Sequence, residues 1–528
     1  MKGFITAAAS LLLSTVNALP SKPASGPFLT QVDNSTWVLG NEIWNVTQQQ
    51  IYGVKLMYKE KDCVGEAVGH YVSYNGAASN LQWTSASITK RGTYQGKQYI
   101  DVSFTAAEGD MHWVIFSGLS GAYQYFVNHA LPTLGEFRTL WRLDNTTFTK
   151  GRTNIKDEEL PPLSEYLPQN KVQDETWLKP DGSGYITKYD FTAWSRNQDY
   201  FGVYGDGFGS WYINAGKDYY NGDHLKQELM NDGDKKDAAK RAAEEFRSWP
   251  YTWLDDEDYH SRGVVQGKIM LSDGRPASNA AVFLGDNNPN KTALDMGSTY
   301  YYTAYADKHG NFEFSDVRAA TYGLQAWSNG SSIADVTTSL LHNDVTVKKS
   351  AKTNLGSLTW EVSTKKKLFQ IGDFDRYSYG FLHGGAPNQH ALVASCPANL
   401  IYTIGESKPI DWCFGQTYQG NWTVRFKAPA ASKTAAPNLI VSLAGYSSGA
   451  SSNILANGVQ VGNMTSGSAL LPSDPCLYRS ATGAGEWHLL EYPFDKGLLK
   501  EGWNEITFDM VRNTTWHGFM WDSVVLEW

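Results

Sequence analysis

Four cysteines in 528 residues are too few for a disulfide-built scaffold, and none forms a CxxC pair suited to zinc or thiol redox chemistry. Beyond residue 16 no apolar run has the length to cross a bilayer, so no membrane partner is expected. Positive charge is scarce as well. Forty-five Lys and Arg against 54 Asp and Glu leave −9, which argues against the clustered basic surface of a nucleic-acid binder. HExxH, Walker, GxSxG and EF-hand patterns are all missing. GDGFG (205–209) has the wrong spacing for a dinucleotide turn and reads as a bend between strands; Asp255-Asp256-Glu257-Asp258 lacks a calcium loop's glycine and reads as a solvated loop. What the chain has in abundance is 19 Trp, 30 Tyr and 49 Gly. Aromatics with turn residues suggest β-rich architecture, and flat rings suit the apolar face of a pyranose.

At the N-terminus, Lys2, the apolar stretch 4–16 and the small-residue site Val16-Asn17-Ala18 read as a signal peptide over 1–18, predicting a secreted product. Eight N-x-S/T sequons fit a glycoprotein: Asn34, Asn45, Asn145, Asn290, Asn329, Asn421, Asn463 and Asn513. An oxidising compartment permits disulfides. Cys396 and Cys413 are the best pair because they lie near each other in sequence; Cys63 and Cys476 remain open as free buried thiols.

At roughly 150 residues per domain the length suggests three or four domains, and three composition blocks are visible. From 28 to 248, short runs such as YIDVSF (99–104) and MHWVIF (111–116) alternate with period two, the antiparallel sheet signature. One helix is predicted over 234–248, with Asp234 as cap, Ala239, Ala242, Ala243 and Phe246 as apolar stripe, and Pro250 after its end. A second block, 262–350, opens GVVQGKI and carries Asp-Gly and His-Gly-Asn turns between alternating runs, as in a small fibronectin-like sandwich. The third, 351–528, has many strands and no helix and suggests a jelly roll; its lysine run 365–367 reads as a solvated strand edge.

Two strands stand out. In GEFRTLWRLD (135–144), Phe137, Thr139, Trp141 and Leu143 share one face and Arg138, Leu140 and Arg142 the other. In GYITKYDF (184–191), Tyr185, Thr187, Tyr189 and Phe191 lie opposite Ile186, Lys188 and Asp190. Charges projecting from a sheet are usually just its wet side, and periodicity alone assigns them no chemistry.

At these residues the chain resembles the rhamnogalacturonan lyases of polysaccharide lyase family 4, fungal secreted type. The same resemblance runs through DHLKQEL (223–229), RSWPY (247–251), GVVQGKIMLSDGRPA (263–277), FQIGDFD (369–375) and FMWDSVVLEW (519–528). It implies a mainly β protein of three β-sandwich domains: a mutarotase-like super-sandwich (19–261), a fibronectin type III-like module (262–350) and a carbohydrate-binding-like jelly roll (351–528). It implies an endolyase that cleaves rhamnose-(1→4)-galacturonate bonds by β-elimination, leaving a 4,5-unsaturated galacturonosyl end. The expected partner is rhamnogalacturonan polysaccharide, and the expected state a monomer. By the resemblance Lys188 is the catalytic base and Arg138 neutralises the uronate carboxylate, with Tyr189 and Arg142 as substrate-binding neighbours. No metal-ligand cluster is visible and no cofactor is expected; Arg138 can do the neutralising that a metal would otherwise do.

One departure stands against the resemblance. Family members carry further strands with an active-site histidine after the element matching 223–230, whereas here Met230 runs straight into Asn231. His224 is the nearest candidate acid by sequence; His112, His129 and His260 have less claim, and tyrosines such as Tyr189, Tyr204 or Tyr212 are the other option. Two further readings stay open: a catalytically impaired glycan-binding protein that lacks this segment, and a glycoside hydrolase using two carboxylates.

Overall fold

The computed structural model describes residues 25–75, 81–132, 137–153, 156–173, 176–187, 198–220, 230–232, 235–289, 300–384, 395–430, 436–447, 449–471, 488–512 and 518–528. The expected signal peptide lies outside them. Period-two alternation becomes strand throughout. Ser85–Tyr94 alternates exposed and half-buried residues, then reverses through Gln95-Gly96, both at positive φ, into Lys97–Thr105. That two-residue turn matches the twist of the paired strands. The protein is mainly β, as the alternation predicts.

The chain forms two compact units, one of residues 1–145 with 227–231, the other of 146–226 with 232–528. The first is a two-sheet sandwich. One sheet runs in the order Phe28–Asp33, Thr36–Gly40, Trp44–Gln49, Gly53–Tyr58, Gly69–Tyr74, Phe137–Arg142; the other is Ala122–Asn128, Gly109–Phe116, Lys97–Thr105, Ser85–Tyr94. Between them Trp37 packs edge-on to Phe104, and His70 lies between Trp113 and Trp141. Residue 113 is thus inward on its strand and 112 outward; Thr139 and Trp141 are inward on theirs, with Arg138 and Arg142 outward.

In the second unit, Asp199–Gly205 and Phe208–Asn214 form a hairpin around Asp206-Gly207, so GDGFG is the expected bend between strands. A helix, Lys235–Ser248, packs on this pair. Its buried stripe differs from the one expected. Ala238, Ala242 and Glu245 face inward, while Ala239 and Ala243 are exposed. The register turns on Glu245, a charge that composition places outside but that Arg241 and the Tyr251 hydroxyl (2.6 Å) hold within. The acidic run at 255–258 is likewise more than a loop. Asp256 accepts the Tyr259 amide at 2.6 Å and caps the single helical turn Glu257–His260.

A two-sheet sandwich follows, one sheet ordered Tyr300–Tyr305, Ala281–Asp286, Thr321–Trp327, Leu340–Thr346 and the other Asn311–Arg318, Arg262–Leu271, Lys352–Trp360. A last sandwich is built on Lys367–Ile371, Phe519–Glu527, Asn438–Tyr446 and His488–Pro493, facing a sheet that contains Gly420–Ala428 and Gly502–Arg512. Trp412, Trp422, Trp521 and Phe508 pack ring against ring in its core. Cys396 and Cys413 are bonded there (S–S 1.99 Å), and Cys63 is a buried free thiol; Cys476 lies outside the described residues. The two sandwiches share a small core of Phe283, Tyr301, Trp327, Phe374, Ile440 and Val525.

Beside that shared core two carboxyls meet. Asp522 accepts the amides of Asp375 (3.2 Å) and Arg376 (3.0 Å) and the Ser442 hydroxyl, and it hydrogen-bonds the Asp375 carboxyl. Burial raises both, Asp375 from its ordinary 3.8 to about 6. Between those values the folded state holds more protons than the unfolded one, so the pair's contribution to stability falls as pH rises. Asp522→Asn removes one of the ionisations. Urea unfolding is expected to show a flatter stability profile for the variant across that window; equal slopes would exclude a shared proton.

Candidate functional site

The strand Phe137–Arg142 pairs antiparallel with Gly69–Tyr74, setting Arg138 opposite Ser73, Leu140 opposite Tyr71 and Arg142 opposite Gly69. The outward side chains on the two strands therefore form one patch. Arg138, half-buried, donates from Nε to the Ser73 hydroxyl at 3.2 Å. Arg142, exposed, reaches the Tyr71 hydroxyl at 3.4 Å, and Tyr71 meets Tyr52 edge-on with ring centroids 5.9 Å apart. Four residues along a strand put the two arginines roughly 13 Å apart on one face. Two cations spaced along one strand face suit a chain polymer that carries carboxylates; Tyr71, buried, supports them rather than presenting its ring. The sequence pattern placed both arginines on one face; their tyrosine neighbours came from pairing.

Lys188 and Tyr189 lie outside the described residues, as does His224. The preceding strand, Tyr185–Thr187, pairs with Thr176–Leu178, and Thr176 donates to Thr187 at 2.9 Å between buried side chains.

The other candidate histidines have partners of their own. His112 bonds Asp101 (2.8 Å), whose other oxygen takes the Tyr125 hydroxyl (2.6 Å), and the His112 and Tyr125 rings stack at 4.4 Å. This trio looks like an acid–base group, but it projects from the outer face of the second sheet, on the side of the sandwich away from Arg138. His129 pairs with Asp110 at 2.9 Å, and His260 bonds the Leu254 carbonyl. Burial holds His70 down to about 3, so it is a neutral core residue bonded to Thr139 at 2.7 Å.

The tyrosine candidates separate. Tyr204 and Tyr212 occupy opposite faces of their hairpin: Tyr204 stacks on Trp211 and Tyr212 on Phe201. Burial, then the bond to Asp157 (2.7 Å), raises the Tyr204 phenol to about 12, so it holds a donatable proton at neutral pH. Cys63 is no nucleophile. Burial first, then the Asp62 charge, raises its thiol to about 12. Among the described residues no group of three or more His, Cys, Asp or Glu could hold a metal ion, and no helix is long and apolar enough to cross a membrane. Of the sequon asparagines, Asn34, Asn145, Asn421 and Asn463 are exposed, Asn45 and Asn329 half-buried, and Asn290 and Asn513 outside the described residues.

The chain is a succession of β-sandwiches, with two arginines on one strand face of the first unit. Models of the domains of polysaccharide lyase family 4 match it: domain II over residues 272–355 and domain III over 367–526. A rhamnogalacturonate lyase of Dickeya dadantii is 30% identical over 481 residues, covering 81% of this chain and 80% of its own. Rhamnogalacturonate lyase B of Emericella nidulans is 26% identical, with 86% of each chain covered. The chain belongs to polysaccharide lyase family 4.

Proposed function

We propose that the protein is a secreted endolyase that cleaves rhamnose-(1→4)-galacturonate bonds of rhamnogalacturonan by β-elimination. The observation that carries this is the Arg138–Arg142 face, with Tyr71 beside it, in a chain of this family. A galacturonate C5 proton lies α to a carboxylate and becomes removable only when that negative charge is neutralised. Arg138 neutralises the carboxylate and stabilises the developing enolate. By the family resemblance the amine of Lys188, in its neutral form, takes the C5 proton. As the C4=C5 bond forms, the C4–O bond breaks and the departing rhamnosyl oxygen receives a proton, leaving a 4,5-unsaturated end. The division into 19–261, 262–350 and 351–528, the signal peptide and the sequon glycans belong to the same proposal.

The test is the ultraviolet absorbance of unsaturated product when the purified protein meets rhamnogalacturonan. Its appearance is expected; binding of the polysaccharide without product would replace the lyase by a glycan-binding protein. Arg142 lies roughly 13 Å from Arg138, where it meets a second uronate rather than the reacting one. Arg142→Ala is accordingly expected to raise KM about tenfold with kcat little changed. A fall in kcat alone would place Arg142 at the reacting sugar instead.

A further inference from the structure

In the second unit a half-open cleft of about 530 Å³ lies where the middle and last sandwiches meet, within the size range of small-ligand sites. Its lining includes Tyr379, Asp373, Asp335, Gln370 and Ser331. Tyr379 is 37% exposed and stacks on Tyr377, with centroids 4.7 Å apart and planes 9° from parallel. Next to it, a Cβ on Gly380 would meet nothing within 4 Å, so the approach to the ring is open on that side.

The segment carrying these rings is fixed from behind. Gly372 turns at φ +74, and a Cβ there would come within 2.2 Å of the Asp522 carbonyl oxygen, so only glycine fits. Asp522 holds the amides of Asp375 and Arg376. Arg376, almost fully buried and at φ 70, tucks its guanidinium over Trp327 and bonds Asn329 at 3.2 Å. Across the cleft Ser331 also has positive φ, 60, a strained conformation for a non-glycine residue. Lys367 bonds the Asp335 carbonyl and the Gln370 amide oxygen, so it is not the solvated edge expected of the lysine run. The Gln370 amide nitrogen in turn holds the Ala334 (2.8 Å) and Gly372 (3.0 Å) carbonyls. An exposed ring on a rigid support loses little entropy on binding.

The polar groups differ in kind from the arginine face. The Asp335 carboxylate is paired with Arg275 (2.9 and 3.0 Å), whereas no described residue bonds the exposed Asp373 carboxylate. No lining residue is cationic. The lining itself offers acceptors to hydroxyl donors, with Arg275 and Lys367 behind it at Asp335 and Gln370.

The geometry points to a second carbohydrate site: Tyr379 stacks on the apolar face of a neutral pyranose while Asp373 and Asp335 accept its hydroxyls. The site stands apart from the lyase proposal and survives if that proposal fails. It gives the protein a grip on uncharged sugar residues, complementary to a face suited to acidic ones.

The test is calorimetric titration of the full chain with β-linked galactotetraose and cellotetraose, with trigalacturonate as acidic control. At least one neutral oligosaccharide is expected to bind, Tyr379→Ala to weaken it about tenfold, and Asp373→Asn to weaken it less. Thermal melts check that both variants fold, and turnover of short oligosaccharides by either is expected to match the parent's. No binding of either neutral probe, or binding that both variants leave unchanged, overturns the site. Trigalacturonate binding that Tyr379→Ala abolishes overturns its neutral specificity.

Discussion

Lys188→Ala is expected to slow formation of unsaturated product by about 10²–10⁴-fold, the usual contribution of a positioned base. Lys188→Arg should not restore it, because a guanidinium cannot be deprotonated in a protein and so cannot accept the C5 proton. Arg138→Lys keeps a cation but loses the planar fork, and an intermediate rate is expected. Initial rates on one polysaccharide preparation rank the three. Full turnover by Lys188→Ala would remove Lys188 as base, and with it the mechanism proposed above. The comparison with Arg142→Ala separates chemistry from binding, since only the former variants should lower kcat at saturating substrate.

The largest structural effect is expected from Asp218→Ala. Asp218 receives Arg262 through two bonds (2.8 and 2.7 Å), Arg318 at 3.0 Å and the Tyr302 hydroxyl at 2.7 Å. Arg262 in turn lies against the rings of Trp249 and Tyr259, each 4.7 Å away. Removing the carboxylate leaves a buried guanidinium uncompensated, a change that costs about 3–5 kcal/mol. Tyr302→Phe removes one hydrogen bond and should cost about 1 kcal/mol. Burial alone would raise the Asp218 carboxyl, but the bonds and charge of Arg262, with Tyr302 and Arg318, hold it below its ordinary 3.8. Its stabilisation is therefore complete above the ordinary value and is lost as pH falls through the lowered one. Urea unfolding of parent and variant at neutral pH checks the magnitude. A difference below that of Tyr302→Phe would mean the network is solvated rather than buried.

Much of this was legible in the residues. Alternation marked the strands, and Asp206-Gly207 marked a reversal, because strand side chains repeat every two residues and tight turns need particular backbone angles. Cys396 and Cys413, near in sequence, proved near in space. Polarity misled at Lys367, read as a solvated edge but drawn in by partners at 335 and 370, and the apolar stripe expected of the helix left out Glu245, which partners at 241 and 251 hold within. The acidic run at 255–258 hid a helix cap for the same reason: charge count does not report geometry.

The sequence by itself determined the β class, the shared face of the two arginines and, through its motifs, the family. Tertiary structure alone decided that His112 with Asp101 lies on the far side of the sandwich from Arg138, that Tyr204 and Tyr212 face opposite ways, and that Tyr379 overhangs a carboxylate-lined cleft. The division has a physical cause. Which face of a strand a residue takes depends on its neighbours in sequence, whereas what that face meets depends on strands and loops brought from far along the chain.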